Sequence, residues 1–228
     1  MSATITTAGT FYTTSSKSFS STFSATENPI SESGAWVNNG VDWTAVRTSG
    51  GIAFGTQTGS NGFDDSYAHL TGFPADYEMT ATVFKGTTSG IQEIELLFRA
   101  TDSANSMVVY EINFAHDGQY CDFVRWHGPK GTTVNDFSYL VPTGTYSISG
   151  GVNNGDIIKG RIQGNVLNAW INKGSGFVLI NSSPVTDTAG AGGGAVLTTG
   201  NPGIGFYREA ASGAANQYGF TDYSVVTI

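Results

Sequence analysis

The chain has 228 residues, 31 of them glycine and only 12% charged, with a net charge of −8 at neutral pH. That sign and density speak against nucleic acid or an anionic membrane as the main partner, and no apolar run reaches the length that would insert in a bilayer. Ser, Thr, Val, Tyr and Phe are abundant, no stretch sustains helical apolar spacing, and turn residues recur about every 8–12 positions, so the expectation is all-β: a single two-sheet antiparallel sandwich.

In chain order, residues 1–21 read as a Ser/Thr-rich arm or leading strand and residues 22–228 as the sandwich domain. The opening segment, residues 1–7, lacks the basic and apolar regions of a secretory leader. An extracellular or virion-surface location would then need a leader already removed, or release in a phage particle. Strands are expected within residues 23–30, 41–46, 51–54 and 77–84. Residues 64–70 follow an Asn61-Gly62 turn.

The most informative stretch runs from Ile91 to Trp170. Asp117-Gly118 suits a two-residue hairpin turn, because both central positions of a type I′ turn need positive φ. A turn there pairs Phe114 with Cys121, Asn113 with Asp122, Ile112 with Phe123 and Glu111 with Val124. Side chains alternate along a strand, so Ile112, Phe114, Cys121 and Phe123 share an apolar face while Glu111, Asn113, Asp122 and Trp126 share the other. A second hairpin turning at Gly164-Asn165 pairs Arg161 with Asn168 and Ile162 with Leu167. Its apolar face holds Ile158, Ile162, Leu167, Ala169 and Ile171; its polar face holds Lys159, Arg161, Gln163, Asn168, Trp170 and Asn172. Residues 93–99 alternate in the same way, with Ile94, Leu96 and Phe98 inward and Glu93, Glu95 and Arg99 outward. A one-residue slip would bury charges without partners, so these registers are strongly specified. All three segments are taken to share one sheet.

Cys121 falls on the apolar face and reads as a buried, inert thiol. His69, His116 and His127 read as structural. The Gly-rich run at residues 190–194 lacks the Lys-Ser/Thr and the helix of a phosphate cradle. Strands at residues 203–208 and 218–228 close the chain.

A family resemblance rests on specific residues. Phe23, Asn28-Pro29-Ile30 and Trp36 resemble the opening of concanavalin A-like jelly rolls. Glu95-Leu96-Leu97-Phe98-Arg99-Ala100, Val108-Val109-Tyr110-Glu111-Ile112 and Cys121-Asp122-Phe123-Val124-Arg125 resemble the laminin-G-like pattern. Gly203-Ile204-Gly205-Phe206-Tyr207 and Tyr218-Gly219-Phe220-Thr221-Asp222-Tyr223 are similar to the terminal strands of that superfamily. The resemblance implies a jelly roll and, by analogy, a polysaccharide or cell-surface glycan as partner.

Three functions compete for the polar face. In a lectin or adhesin, Trp126 and Trp170, with Tyr207, would stack on sugar rings while Glu95, Arg99, Glu111, Asn113, Arg161 and Asn168 bond hydroxyls. A glycoside hydrolase of the superfamily would carry Glu-x-Asp-x-x-Glu on one strand. Here Glu93 and Glu95 occupy the first two acidic positions but Phe98 the third, which leaves only a cross-strand Glu95–Glu111 pair. A polysaccharide lyase would use Arg99, Arg161, Asn113 and Gln163 as carboxylate neutralisers with Tyr207 or His127 as base, although the jelly-roll alginate lyase motifs are absent. Binding without cleavage is the favoured expectation, and lyase precedes hydrolase if a bond is cut. A structural or decoration role on a virus particle, with a homo-oligomeric or scaffold interface, is a further alternative. No organic cofactor is expected. Asp64, Asp65 and Asp222 are weak candidates for a structural calcium ion, since calcium prefers oxygen ligands.

Overall fold

The computed structural model describes residues 16–39, 43–57, 65–86, 90–103, 106–117, 119–128, 136–188, 194–208 and 214–228. Fifteen strands follow in chain order: β1 (Ser18–Ser21), β2 (Thr44–Ser49), β3 (Ile52–Gly55), β4 (Ser66–His69), β5 (Tyr77–Lys85), β6 (Gln92–Ser103), β7 (Ser106–Ala115), β8 (Cys121–His127), β9 (Phe137–Tyr139), β10 (Ile157–Gln163), β11 (Val166–Asn172), β12 (Phe177–Leu179), β13 (Val185–Thr186), β14 (Asn201–Arg208) and β15 (Tyr218–Thr227). A 3-10 turn at Ala215–Gln217 precedes β15.

The hydrogen-bonded path is continuous, in the order β12-β11-β10-β5-β15-β3-β2-β4-β14-β6-β7-β8-β9, with β1 on β15 and β13 on β11. The path folds over at β2, which is antiparallel to β3 but parallel to β4. Two walls result. One runs from β12 to β3 and the other from β4 to β9, and their apolar faces meet in one core.

That core is the expected one. Ile94, Leu96, Phe98, Ile112, Phe114, Cys121 and Phe123 come from one wall; Met79, Ala81, Ile158, Ile162, Leu167, Ala169, Tyr223 and Val225 come from the other. The walls are in tight contact at Gly160, where a Cβ would lie 2.6 Å from Cζ of Phe98. Both hairpin registers agree with the turn chemistry, including Asn113 opposite Asp122 and Arg161 opposite Asn168. Cys121 is buried and free, and burial pushes its thiol pKa up.

Two sequence expectations need correction. The three segments do not share one face: β6, β7 and β8 belong to one wall and β10 and β11 to the other. Their polar faces therefore point in opposite directions, away from the common core. Arg99 also departs from simple alternation. A β-bulge between Phe98 and Thr101 places it at φ 56°, and its buried guanidinium leaves the sheet face. It donates to Ala75 O at 3.0 Å and to Leu197 O, and pairs with Asp76 at 2.9 Å.

Candidate functional site

On the β5–β10–β11 wall, the outer face pairs its charges internally. Arg161 donates from Nε (2.8 Å) and from its terminal nitrogen (2.6 Å) to Glu78, opposite it on β5. Lys159 lies 3.7 Å from the same carboxylate and 4.6 Å above the Trp170 ring. Asn168 accepts from Asn181 at 3.0 Å. Thus Arg161, Asn168 and Trp170 sit together, but apart from the other candidates.

The outer face of the β14–β6–β7–β8 wall is different. Strands β6, β7 and β8 are buried on both faces, because a second apolar cluster covers them. Trp43, Tyr67, Leu97, Ala100, Met107, Val109, Val124 and Trp126 form it, with Phe137 packed against it. The Trp43 and Trp126 rings meet edge to face at 4.6 Å. Trp126 is therefore only 4% exposed. Its role differs from an exposed stacking platform: its Nε1 donates to Oε2 of Glu111 at 2.5 Å.

Beside this cluster a cleft opens on the outer face of this wall. Its aromatic lining is Tyr120, Trp126, Phe137, Tyr139 and Tyr207; its polar lining is Asp65, Glu93, Glu111 and Asn113, with Ile91 and Val124 completing it. No Lys or Arg lines it among the described residues. Tyr139 is exposed, while Tyr120, Phe137 and Tyr207 are half-buried. Of the predicted residues, Glu111, Asn113, Trp126, Tyr207 and Asp65 line this cleft, and Glu95 lies beneath it. Arg99 is at the sandwich end.

Alternation places the carboxylates. Glu95 on β6 stands opposite Asn113 on β7, and Glu111 stands opposite Leu97. Asn113 donates to Glu111 at 3.2 Å and accepts the Asp122 backbone N–H at 2.9 Å. Asp122 in turn accepts the Gly144 N–H at 2.9 Å and the Thr143 hydroxyl, which fastens the loop after β9. Tyr120 donates to Glu93. Burial, opposed by the bonds from Trp126 and Asn113 and aided by the Asp122 charge, pushes Glu111 up to about 7. Glu95 is fully buried, and its carboxyl is held well above the usual range by burial and then by the charges of Asp65, Glu111 and Glu93.

Asp65, Glu95 and Glu111 converge, each offering a carboxylate oxygen within 4.8 Å of the others. Of the weak calcium candidates, Asp65 thus gains two different partners. Asp222 lies on β15, opposite Thr82 of β5, outside this group. Asp64 lies outside the described residues.

The sequence reading did not identify Tyr120 or Tyr139 as cleft residues. Tyr120 falls opposite Ala115 in the predicted hairpin, so alternation already placed it on the face of Asp122 and Trp126, a signal the face assignment did not use. Tyr139 sits on a three-residue strand too short for alternation to register. Gly205, which admits the Glu95 side chain, did carry a signal: a glycine inside a strand marks a close approach. A Cβ there would lie 2.1 Å from Oε2 of Glu95.

No protein-family model matches the chain, and no curated protein matches it in sequence. Solved structures do. The carbohydrate-binding module CBM66 from Bacillus subtilis is similar at 14% identity, covering 85% of this chain and 92% of that one with a TM-score of 0.53. The exoplasmic/lumenal domain of VIP36, in its Ca2+/Man3GlcNAc-bound form, gives 10% identity, 90% and 91% coverage and a TM-score of 0.53. The CBM2 module of the evolved Dit of Lactobacillus casei BL23 phage J-1 gives 13% identity, 93% and 97% coverage and a TM-score of 0.51. These likenesses show the fold alone: the chain folds as a jelly-roll β-sandwich.

Proposed function

We propose that the chain is a carbohydrate-binding module that takes a neutral glycan in the cleft over β14, β6, β7 and β8. The observation that carries this reading is the lining itself, in which tyrosine rings stand around carboxylate and amide acceptors with no cation among the described residues. Rings of Tyr139 and Tyr207 offer flat apolar surface to a pyranose, and Glu93, Glu111 and Asn113 offer acceptors and a donor to its hydroxyls. The acidic lining disfavours uronate or sulfated glycans by like-charge repulsion.

Cleavage is less well supported than binding. The lyase reading needs cations at the substrate carboxylate, whereas Arg99 and Arg161 are paired with Asp76 and Glu78 away from the cleft. The hydrolase pair drawn from the sequence, Glu95 with Glu111, needs both carboxyls to touch the sugar, and Glu95 is wholly enclosed. Similar solved structures include two carbohydrate-binding modules and a glycan-bound exoplasmic/lumenal domain, one of the modules from the evolved Dit of a phage. A setting on a virion that grips bacterial surface glycans is the finer form of this reading.

Retention of the chain on immobilised neutral and uronate polysaccharides is the test. Tyr139→Ala and Tyr207→Ala should each weaken retention on a neutral glycan by roughly tenfold, about 1.4 kcal/mol. Trp170→Ala, on the opposite outer face, should leave it unchanged. Loss of retention in Trp170→Ala alone, or a rise in absorbance near ~235 nm from an unsaturated uronate product, would move the site or the chemistry elsewhere.

A further inference from the structure

The carboxylates beneath the cleft are arranged for something other than a sugar. Asp65 precedes β4, Glu95 is on β6 and Glu111 on β7, so three separate backbone segments direct acidic side chains to one point. All three are at least 95% buried. Neither Glu95 nor Glu111 forms an ion pair among the described residues, and both Glu95 oxygens lack any hydrogen-bond partner there. A fully buried carboxylate with neither a donor nor a cation is strongly disfavoured, because nothing replaces its lost hydration. Yet the fold keeps open the space that Glu95 occupies, by placing Gly205 where any larger residue would strike its Oε2.

The geometry points to a divalent-cation site of the calcium class, with Asp65, Glu95 and Glu111 as its protein ligands. Three observations carry it. The donor set is oxygen only, which selects hard cations over zinc or copper. Two oxygens on opposite sides of a calcium ion, each about 2.4 Å from it, stand about 4.8 Å apart, and each pair of the three chosen oxygens lies within 4.8 Å. Three carboxylates supply up to about six of the 6–8 oxygens calcium takes, and Asp65 and Glu111 also line the cleft. The remaining positions therefore face water or a ligand there. Bound calcium would satisfy the Glu95 oxygens and remove the repulsion among the three anions. Such a site requires no bound sugar.

The test is calorimetric titration of chelator-treated full-length chain with calcium chloride, magnesium chloride as comparison, and thermal melting in parallel. We expect one calcium ion per chain with a Kd in the range of about 10⁻⁶–10⁻³ M, a rise in Tm of several degrees, and weaker magnesium binding. Glu95→Gln should fold and lose calcium affinity by about tenfold or more, without the calcium-dependent rise in Tm. If Glu95→Gln does not fold, Asp65→Asn gives the same comparison, and the wild-type titration decides by itself. No heat and no Tm change up to millimolar calcium would overturn the proposal, as would unchanged affinity in a folded Glu95→Gln. Polysaccharide retention repeated with chelator separates the two readings. Calcium binding without retention removes the carbohydrate reading alone; retention without calcium binding removes the cation site alone.

Discussion

At the scale of single residues, His116 has a clear consequence for stability. It is 1% exposed and meets the Tyr218 ring edge to face at 6.0 Å. Burial, then the Lys85 charge, lower its pKa to about 4, with Asp117 opposing. In the unfolded chain the imidazole titrates near ~6.5. Between these values the unfolded state holds more protons than the folded state, so this contribution is fully present above pH ~6.5 and is lost as pH falls towards about 4. The shift corresponds to roughly 3 kcal/mol. Glu95 and Glu111, with raised pKa values, slope the opposite way as pH rises from the ordinary carboxylate range. The informative quantity is therefore the difference between wild type and His116→Gln in urea denaturation across pH ~4–7. That difference should shrink by a few kcal/mol towards the acid end, and a pH-independent difference would contradict the assignment.

At the scale of strands, β14 couples the fold to the carboxylate group. Gly205 faces Tyr67 on β4 and Glu95 on β6. A methyl group there would stand 2.1 Å from Oε2 of Glu95, so the carboxyl must turn away or the strand must bow. Gly205→Ala should cost about 1–3 kcal/mol as a local overpacking. Because it displaces a proposed ligand, it should also weaken calcium binding; equal affinity to wild type by calorimetry would argue that Glu95 does not ligate. The hairpins around this strand were legible in the sequence, since period-two alternation and the Asp117-Gly118 and Gly164-Asn165 turns fix register locally. The bulge at Arg99 was not legible, because no glycine marks it and its cause is distant: Ala75, Asp76, Tyr77 and Leu197 hold the residue from other parts of the chain. Trp126 was misread for a similar reason. Alternation places it correctly on the outer face, but the cover supplied by Trp43 and Phe137 depends on strands far apart in sequence.

Across the whole molecule, the two walls share one core but present unlike outer faces, and this arrangement decides which residues can act together. Local patterns assigned Trp126 and Trp170 to polar faces, yet only the crossover at β2 determines that these faces point apart. The walls touch through Gly160, whose added Cβ would stand 2.6 Å from Phe98 and 3.2 Å from Leu96. Leu96 and Phe98 point into the core, whereas Glu95 on the same strand points towards the cleft. Gly160→Val should therefore force the walls apart and cost about 1–3 kcal/mol. For a chain of this size that is a fall in Tm of roughly 2–4 °C per kcal/mol. The cleft lies on the far side of β6 and contains no atom of β10 or β11. Glycan retention of the folded variant should stay within about twofold of wild type, since affinity follows the cleft contacts and not the core. Reduced stability with intact retention would fit a cleft built on one wall alone. A matching loss of both would mean that the spacing between the walls shapes the binding face.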